Sequence, residues 1–282
     1  MMPWMEVEAG VKIHYEEWGE GDRYLLCTQV GHSRFSLERE LAKRGFHVFL
    51  LTNRGFGQST HVREDYGEHW YDRFADDVIA FADKMGIEKF AYSGASHGAG
   101  TGWHVVLRHP ERVICFFAVV PGPHNLDEGK QSIRSLTMSG KLKLPVMRTP
   151  SDDPRISERY AIEEAENRAK RAQPDYEAIY DAPETKAIDF GRPLAALHTE
   201  ANVLEALKTI KTPVLIIGGM EDPISRPDLM IRTAKCLPNC KLVIHSGVSH
   251  AIPMVEDAAD DALRFYENVV NTGWYYSPIL ND

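Results

Sequence analysis

Residues 94–98 read Gly-Ala-Ser-His-Gly, a G-x-S-x-G pattern with Ser96 at its centre. The pattern follows an apolar run at 89–93 and opens a segment with helical spacing, which is the strand, turn and helix context of a nucleophilic serine. A serine hydroxyl attacks a carbonyl when a base and oxyanion donors lie beside it. Small flanking residues allow a sharp turn, so Ser96 is the candidate nucleophile.

A base and an orienting acid are expected farther along the chain, because a nucleophilic serine needs both. Asp222 comes shortly after the apolar run 214–217, and His250 follows the run 242–244 in a loop of small residues. His245 is the competing base, but it ends its apolar run and is more typical of a strand residue. The three candidates would then follow the carboxyl ends of strands, where open α/β sheets hold their ligands.

The elements that position these residues alternate along the chain. Continuous apolar runs indicate strands buried on both faces of a parallel sheet. The runs are residues 24–27, 48–51, 90–92, 113–120, 214–217 and 242–244. Between these runs, segments with the apolar spacing of a helix occupy residues 35–44, 71–85 and 96–109, and glycine or proline directly follows each segment. An alternating segment at 11–15, followed by a turn at 19–22, predicts a hairpin or meander at one edge of an α/β fold.

The alternation stops after Pro121. From there to about residue 204 the sequence carries no buried strand and becomes polar and helix-prone, as at 156–171. A compact domain seldom contains so long a loop without structure of its own. We therefore predict a helical cap at 122–204, inserted between the sixth and seventh strands, with residues 1–121 and 205–282 forming the core domain.

Composition limits the partners of the protein. The 282 residues carry a formal charge of −9, and 43% hydrophobic and 26% charged residues are ordinary globular values. An acidic balance without a Lys/Arg cluster argues against nucleic acid and acidic membranes, and no signal peptide or membrane span is expected. We expect a cytoplasmic protein, with a homo-oligomer left open. Cysteine and histidine spacings predict no metal, and nothing requires a cofactor.

Several motifs, in order, resemble the α/β-hydrolase fold superfamily, and the resemblance covers nearly the whole chain. Residues 54–59, Arg-Gly-Phe-Gly-Gln-Ser, are similar to the loop after that family's fourth strand, and residues 109–113, His-Pro-Glu-Arg-Val, to the entry of its sixth. The resemblance implies a mostly parallel, eight-stranded α/β-hydrolase sheet flanked by helices, with an inserted cap. It also implies that Ser96, Asp222 and His250 hold the nucleophile, acid and base positions.

The sequence departs from many relatives at the oxyanion hole. Those relatives carry His-Gly after the third strand, whereas residues 28–32 read Thr-Gln-Val-Gly-His. Backbone N–H groups form such a hole, so Val30 and His97 are the expected donors, with a register one or two residues later left open. Residues expected to line the substrate pocket are Gln29, His32 and His124.

Two polar positions leave alternatives open. Thr28 or Gln29 could bond the substrate or only stabilise the turn. The His97 side chain could face the pocket and bind a polar substrate, or it could cap the local helix.

The resemblance implies a serine hydrolase that cleaves a small-molecule ester, lactone, carbamate or amide bond through an acyl-enzyme intermediate. Ser96 attacks the reactive carbonyl, His250 accepts its proton, and Asp222, in preference to Glu221, orients the imidazole. The alternatives are hydrolysis of a C–C bond in a diketone-like substrate and a low-turnover receptor of the same fold. Dehalogenases and epoxide hydrolases of this fold use aspartate at the elbow, so their alkyl-enzyme chemistry is not expected.

Overall fold

The computed structural model describes residues 3–30, 37–62, 64–145, 189–250 and 256–273, together with Ala165, Ala169 and Ala172. Within these residues eight strands form one sheet. They are β1 (Trp4–Glu8), β2 (Val11–Trp18), β3 (Tyr24–Gln29), β4 (His47–Thr52), β5 (Phe90–Ala95), β6 (Val113–Val119), β7 (Val214–Gly219) and β8 (Cys240–His245).

The strand order across the sheet is β1-β2-β4-β3-β5-β6-β7-β8. The pairs β1–β2 and β2–β4 are antiparallel, and all the other neighbours are parallel. The predicted mostly parallel, eight-stranded sheet is therefore confirmed. The hairpin at its edge pairs β2 with β1, a strand that was not predicted, through a turn at Gly10 whose φ is 79°.

Helices cover both faces of the sheet. Those described are α1 (Leu37–Ala42), α2 (Trp70–Lys84), α3 (His97–Arg108), α4 (Ile133–Met138), α5 (Glu200–Lys208), α6 (Pro227–Cys236) and α7 (Glu256–Thr272). Side chains of α2, α3, α5 and α6 share one hydrophobic cluster, while those of α1 and α7 share a second. Successive strand residues supply opposite clusters, as Leu25 and Leu26 do, because side chains alternate across a strand.

The parallel strands bring the predicted catalytic residues to one edge. Strand β5 ends at Ala95, β7 at Gly219 and β8 at His245. Parallel strands have their carboxyl ends on the same side of the sheet, and the loops that follow them meet there. Ser96, Asp222 and the loop of residues 246–250 all lie at that edge.

The predicted insertion falls between β6 and β7, and its described parts are held together by Arg192. This guanidinium donates from Nε to the Gln131 carbonyl oxygen at 2.9 Å and from Nη1 to that of Asn125 at 2.7 Å. The predicted cap boundary at residue 204 lies inside α5, whose buried Val203 and Leu207 belong to the core. Most of residues 146–188 lie outside the described residues, so the cap stays a prediction.

Candidate active site

Ser96 occupies the sharp turn between β5 and α3. Its φ of 54° and ψ of −109° lie in a strained region for a non-glycine residue, and such strain is typical of functional sites. The Ser96 N–H donates to the Val119 carbonyl oxygen at 2.9 Å, and the Ser96 carbonyl oxygen accepts from the Gly100 N–H at 3.0 Å. A Cβ on Gly94 would lie 2.2 Å from the Gly98 carbonyl carbon. Glycine at 94 therefore lets the helix fold back against the strand.

Asp222 and His250 form a hydrogen-bonded pair, with 2.8 Å between Oδ2 and Nδ1. The Asp222 side chain is fully buried, and its Oδ1 accepts from the N–H groups of Ile224 and Ser225 at 2.8 and 2.9 Å. An ionised carboxylate only accepts, so with this partner a neutral His250 imidazole would have its hydrogen on Nδ1 and its lone pair on Nε2. The competing carboxylate, Glu221, is exposed.

Gly219 explains how the loops that carry Asp222 and His250 meet. A Cβ at this position would lie 2.2 Å from the Val248 carbonyl oxygen and 2.5 Å from that of Ser249. The loop after β8 therefore packs directly on the end of β7. His245, the competing base, ends β8 as expected and lies 3.7 Å from an Asp261 oxygen.

A cavity of about 260 Å³ opens beside the elbow, a volume suited to a small ligand. Its lining includes Tyr71, Ser96, His97, His124, Arg134 and Arg192. Of the predicted pocket residues, His124 is therefore at the cavity. Gln29 and Val30 are not among its described lining residues, and the Gln29 carbonyl oxygen accepts from the Asn53 N–H at 3.0 Å. His32 lies outside the described residues.

The His97 ring lies between two aromatic side chains at this cavity. Its Nδ1 is 2.9 Å from the Tyr71 hydroxyl oxygen, and its ring centroid is 4.8 Å from that of Phe190. Burial lowers the pKa of His97 to about 3, and the nearby charges of Arg134 and His250 add smaller contributions. The ring is therefore neutral near pH 7. Of the two alternatives, the side chain at the pocket is the one that this geometry favours.

The predicted oxyanion donors lie at the end of β3 and the start of α3. His97 is the first residue of α3, so its N–H has no partner within the helix. Val30 follows β3 directly. The Thr28 hydroxyl oxygen is 2.8 Å from that of Tyr92, and Tyr92 in turn donates to the Gly98 carbonyl oxygen at 3.0 Å. Thr28 thus stabilises the junction between strand and helix.

Most lining residues of the cavity were not predicted, among them Tyr71, Arg134 and Arg192. Tyr71 has the spacing of an ordinary core aromatic on α2, and the two arginines lie in the insertion, where the sequence shows no clear period. Burial, with the charge of Arg192, lowers the pKa of His124 to about 4, so that imidazole is also neutral near pH 7.

In the part of the chain that the structure describes, no three potential metal ligands cluster together, and no helix is both long and apolar enough to cross a bilayer.

The fold and the site define an α/β hydrolase. A family model described as alpha/beta hydrolase fold matches residues 28–171, and the chain belongs to that family. It is 23% identical to the bifunctional esterase/perhydrolase DCH of Acinetobacter calcoaceticus, in an alignment that covers 90% of this chain and 95% of that protein.

Solved structures agree on the fold. An enol-lactonase from Burkholderia xenovorans LB400 superposes with a TM-score of 0.65 at 20% identity, over 95% of this chain and 98% of the other. The 2-hydroxy-6-oxo-6-phenylhexa-2,4-dienoate hydrolase from Rhodococcus sp. strain RHA1 gives a TM-score of 0.67 at 18% identity, over 94% and 98%.

Proposed function

We propose that this protein is a serine hydrolase that cleaves a small-molecule ester or lactone through an acyl-enzyme intermediate. The observation that carries the proposal is the strained Ser96 turn at the cavity, at the same sheet edge as the 2.8 Å pair of Asp222 and His250. An esterase and an enol-lactonase among the similar proteins favour acyl transfer to water. Carbamates and amides contain the same reactive carbonyl and form the extended substrate class.

In the proposed mechanism Ser96 Oγ attacks the substrate carbonyl while His250 Nε2 accepts the hydroxyl proton. Asp222 stays ionised, fixes the imidazole tautomer and stabilises the imidazolium. The N–H groups of Val30 and His97 donate to the developing oxyanion, each contributing about 3 kcal/mol. His250 then gives its proton to the leaving group and later activates the water that releases the acyl group.

The insertion is the part of the chain that we propose as the cap over this site, at residues 122–204, with 1–121 and 205–282 as the core. Arg134 and Arg192 belong to it and line the cavity. Differences in such an insertion change the substrate without changing the triad.

The test is a panel of para-nitrophenyl esters and small lactones assayed with the native protein, Ser96→Ala and a matched control, Ser139→Ala. Ser139 is exposed on the insertion, so its loss should leave kcat/KM unchanged. Ser96→Ala should lose at least about 1,000-fold in kcat while it keeps its melting temperature. Equal activity in native protein and Ser96→Ala contradicts the proposal.

Hydrolysis of a C–C bond is the second candidate, favoured by the similarity to the dienoate hydrolase. Product analysis in oxygen-18 water separates the two candidates. Ester hydrolysis releases an alcohol and a labelled acid, whereas hydrolysis of a diketone-like substrate releases a labelled acid and a ketone or dienol without loss of an alcohol.

A further inference from the structure

The cavity beside Ser96 is lined by two positive charges and by no described negative one. The charged side chains among its described lining residues are Arg134 and Arg192, and no aspartate or glutamate is among them. The two imidazoles at the cavity, His97 and His124, are neutral near pH 7 because burial lowers the pKa of each. The described lining therefore carries a net positive charge, in a protein whose formal net charge is −9.

Arg192 is a buried cation without an ion pair among the described residues. The residue is only 4% exposed, and its described hydrogen-bond acceptors are the carbonyl oxygens of Gln131 and Asn125. Glu128 and Asp189 act on it at longer range, but Glu128 is paired with Arg226 at 3.1 Å, and the Asp189 Oδ1 already accepts from the N–H groups of two other residues. Guanidinium stays protonated, and a buried charge without a counterion is costly.

Arg134 projects from α4 and makes no described ion pair either. Its guanidinium carbon lies 5.9 Å from the centroid of the Phe190 ring, and its charge acts on His97, the neighbour of Ser96. A cation held over an aromatic face keeps its N–H groups available for an anion. Arg134 and Arg192 thus face one small space from different segments of the insertion.

We propose that the substrate carries a carboxylate, which Arg134 and Arg192 bind inside the cavity. The inference rests on the proposed function, since it names the class of ester that Ser96 would cleave. Two carboxylate oxygens match the paired N–H donors of a guanidinium, and the charge of the substrate would neutralise the buried Arg192. A cavity of about 260 Å³ favours a short-chain acid.

The experiment compares two para-nitrophenyl esters with the same five-carbon acyl chain: the glutarate half-ester, which ends in a carboxylate, and the neutral pentanoate. Native protein should have the higher kcat/KM for the half-ester. Arg134→Gln should lower kcat/KM for the half-ester by about 10- to 100-fold, the cost of losing a charge-assisted hydrogen bond, and leave the pentanoate nearly unchanged. Arg134→Lys should recover part of the loss.

Arg73→Gln is the matched control, because Arg73 is an exposed arginine of α2 that lies 4.0 Å from an Asp76 oxygen and is not among the cavity's described lining residues. It should behave as native protein with both esters. Thermal melting of each variant shows whether the fold is retained.

Calorimetric titration with sodium glutarate separates the two proposals, because binding needs no turnover. Glutarate binding that is weakened by Arg134→Gln, in a protein that cleaves neither ester, would support the carboxylate site and contradict the proposed function. Two results would overturn the carboxylate site and leave the proposed hydrolase function intact. In the first, both esters are cleaved and Arg134→Gln does not change the ratio of their kcat/KM values. In the second, the esters are cleaved but glutarate does not bind to the native protein.

Discussion

Replacing Gly98 by alanine tests whether the elbow depends on the contact between α3 and β3. A Cβ built on Gly98 would lie 2.3 Å from the Thr28 carbonyl oxygen, whereas ordinary contacts begin at 3.4 Å. The clashing atom of Thr28 belongs to the backbone, so a change of side-chain rotamer cannot relieve the clash. Helix and strand must separate by about 1 Å, and a displacement of that size at a catalytic centre costs about 100-fold in rate.

Whether Gly98→Ala raises or lowers the stability of the protein shows which of two effects is larger, the gain in helix propensity or the cost of overpacking against Thr28. Alanine in place of a helical glycine alone would stabilise by about 1 kcal/mol, whereas overpacking at Thr28 costs about 1–3 kcal/mol. We expect Gly98→Ala to melt a few degrees lower, on the scale of about 2–4 °C per kcal/mol for a chain of this size. The assays are kcat/KM with a para-nitrophenyl ester and melting by circular dichroism.

Gly102→Ala is the matched control, one turn farther along the same helix. Its Cβ would meet the Phe116 ring at 2.3 Å, away from the elbow, so we expect lower stability with near-native activity per folded molecule. If Gly98→Ala is as active and as stable as native protein, the close packing of β3 on the elbow is not what positions Ser96.

The remaining predictions concern the acid, the cavity and pH. Asp222→Asn should lower kcat by about 10,000-fold, because an amide no longer fixes the His250 tautomer; a loss below tenfold would contradict this. Tyr71→Phe, which leaves the partly buried His97 Nδ1 without its hydrogen-bond partner, should lower the free energy of unfolding in urea by about 1–3 kcal/mol; an unchanged free energy of unfolding would contradict this. The pKa values of His97 and His124 are about 3 and about 4 in the folded protein, against 6.5 for an unperturbed histidine in the unfolded chain. The unfolded state therefore binds more protons as the pH falls. Lowering the pH from 7 to 5.5 should therefore cost about 2 kcal/mol of stability, and a double His→Asn variant that keeps the same loss would refute it.

Much of the fold was predictable because the hydrophobic periodicity is clear and glycine or proline marks the ends of the elements. Helix α2 was expected at 71–85 and runs over Trp70–Lys84, with Gly86 just beyond it at a φ of 69°. Strand β1 was missed, since its alternation is short and weakly apolar and only its pairing with β2 defines it. Its residues at positions 4–8 carry no turn signal that marks them as half of a hairpin.

The candidate site was predictable where a residue follows an apolar strand: Ser96 and Asp222 follow the buried strands β5 and β7, and His250 follows β8, a half-buried strand at the sheet edge. Their triad roles stay a proposal, but their places at one sheet edge follow from the parallel direction of the strands that precede them. Apart from His124, the cavity wall was not predictable, because residues such as Tyr71 and Arg192 reach it through tertiary packing of the insertion on the core. The hydrogen bond between the Tyr71 hydroxyl and the His97 ring joins residues 26 positions apart in sequence, and no local sequence pattern predicts such a contact.

The most direct test of the central claim is covalent labelling of Ser96. A fluorophosphonate forms a stable ester with a serine that a neighbouring base activates, and peptide mass spectrometry locates the modified residue. We predict one phosphonyl group on the peptide that contains Ser96, slower labelling in His250→Ala, and none in Ser96→Ala. Folded native protein that is not labelled, or a Ser96→Ala variant labelled as fast as native protein, would contradict the account.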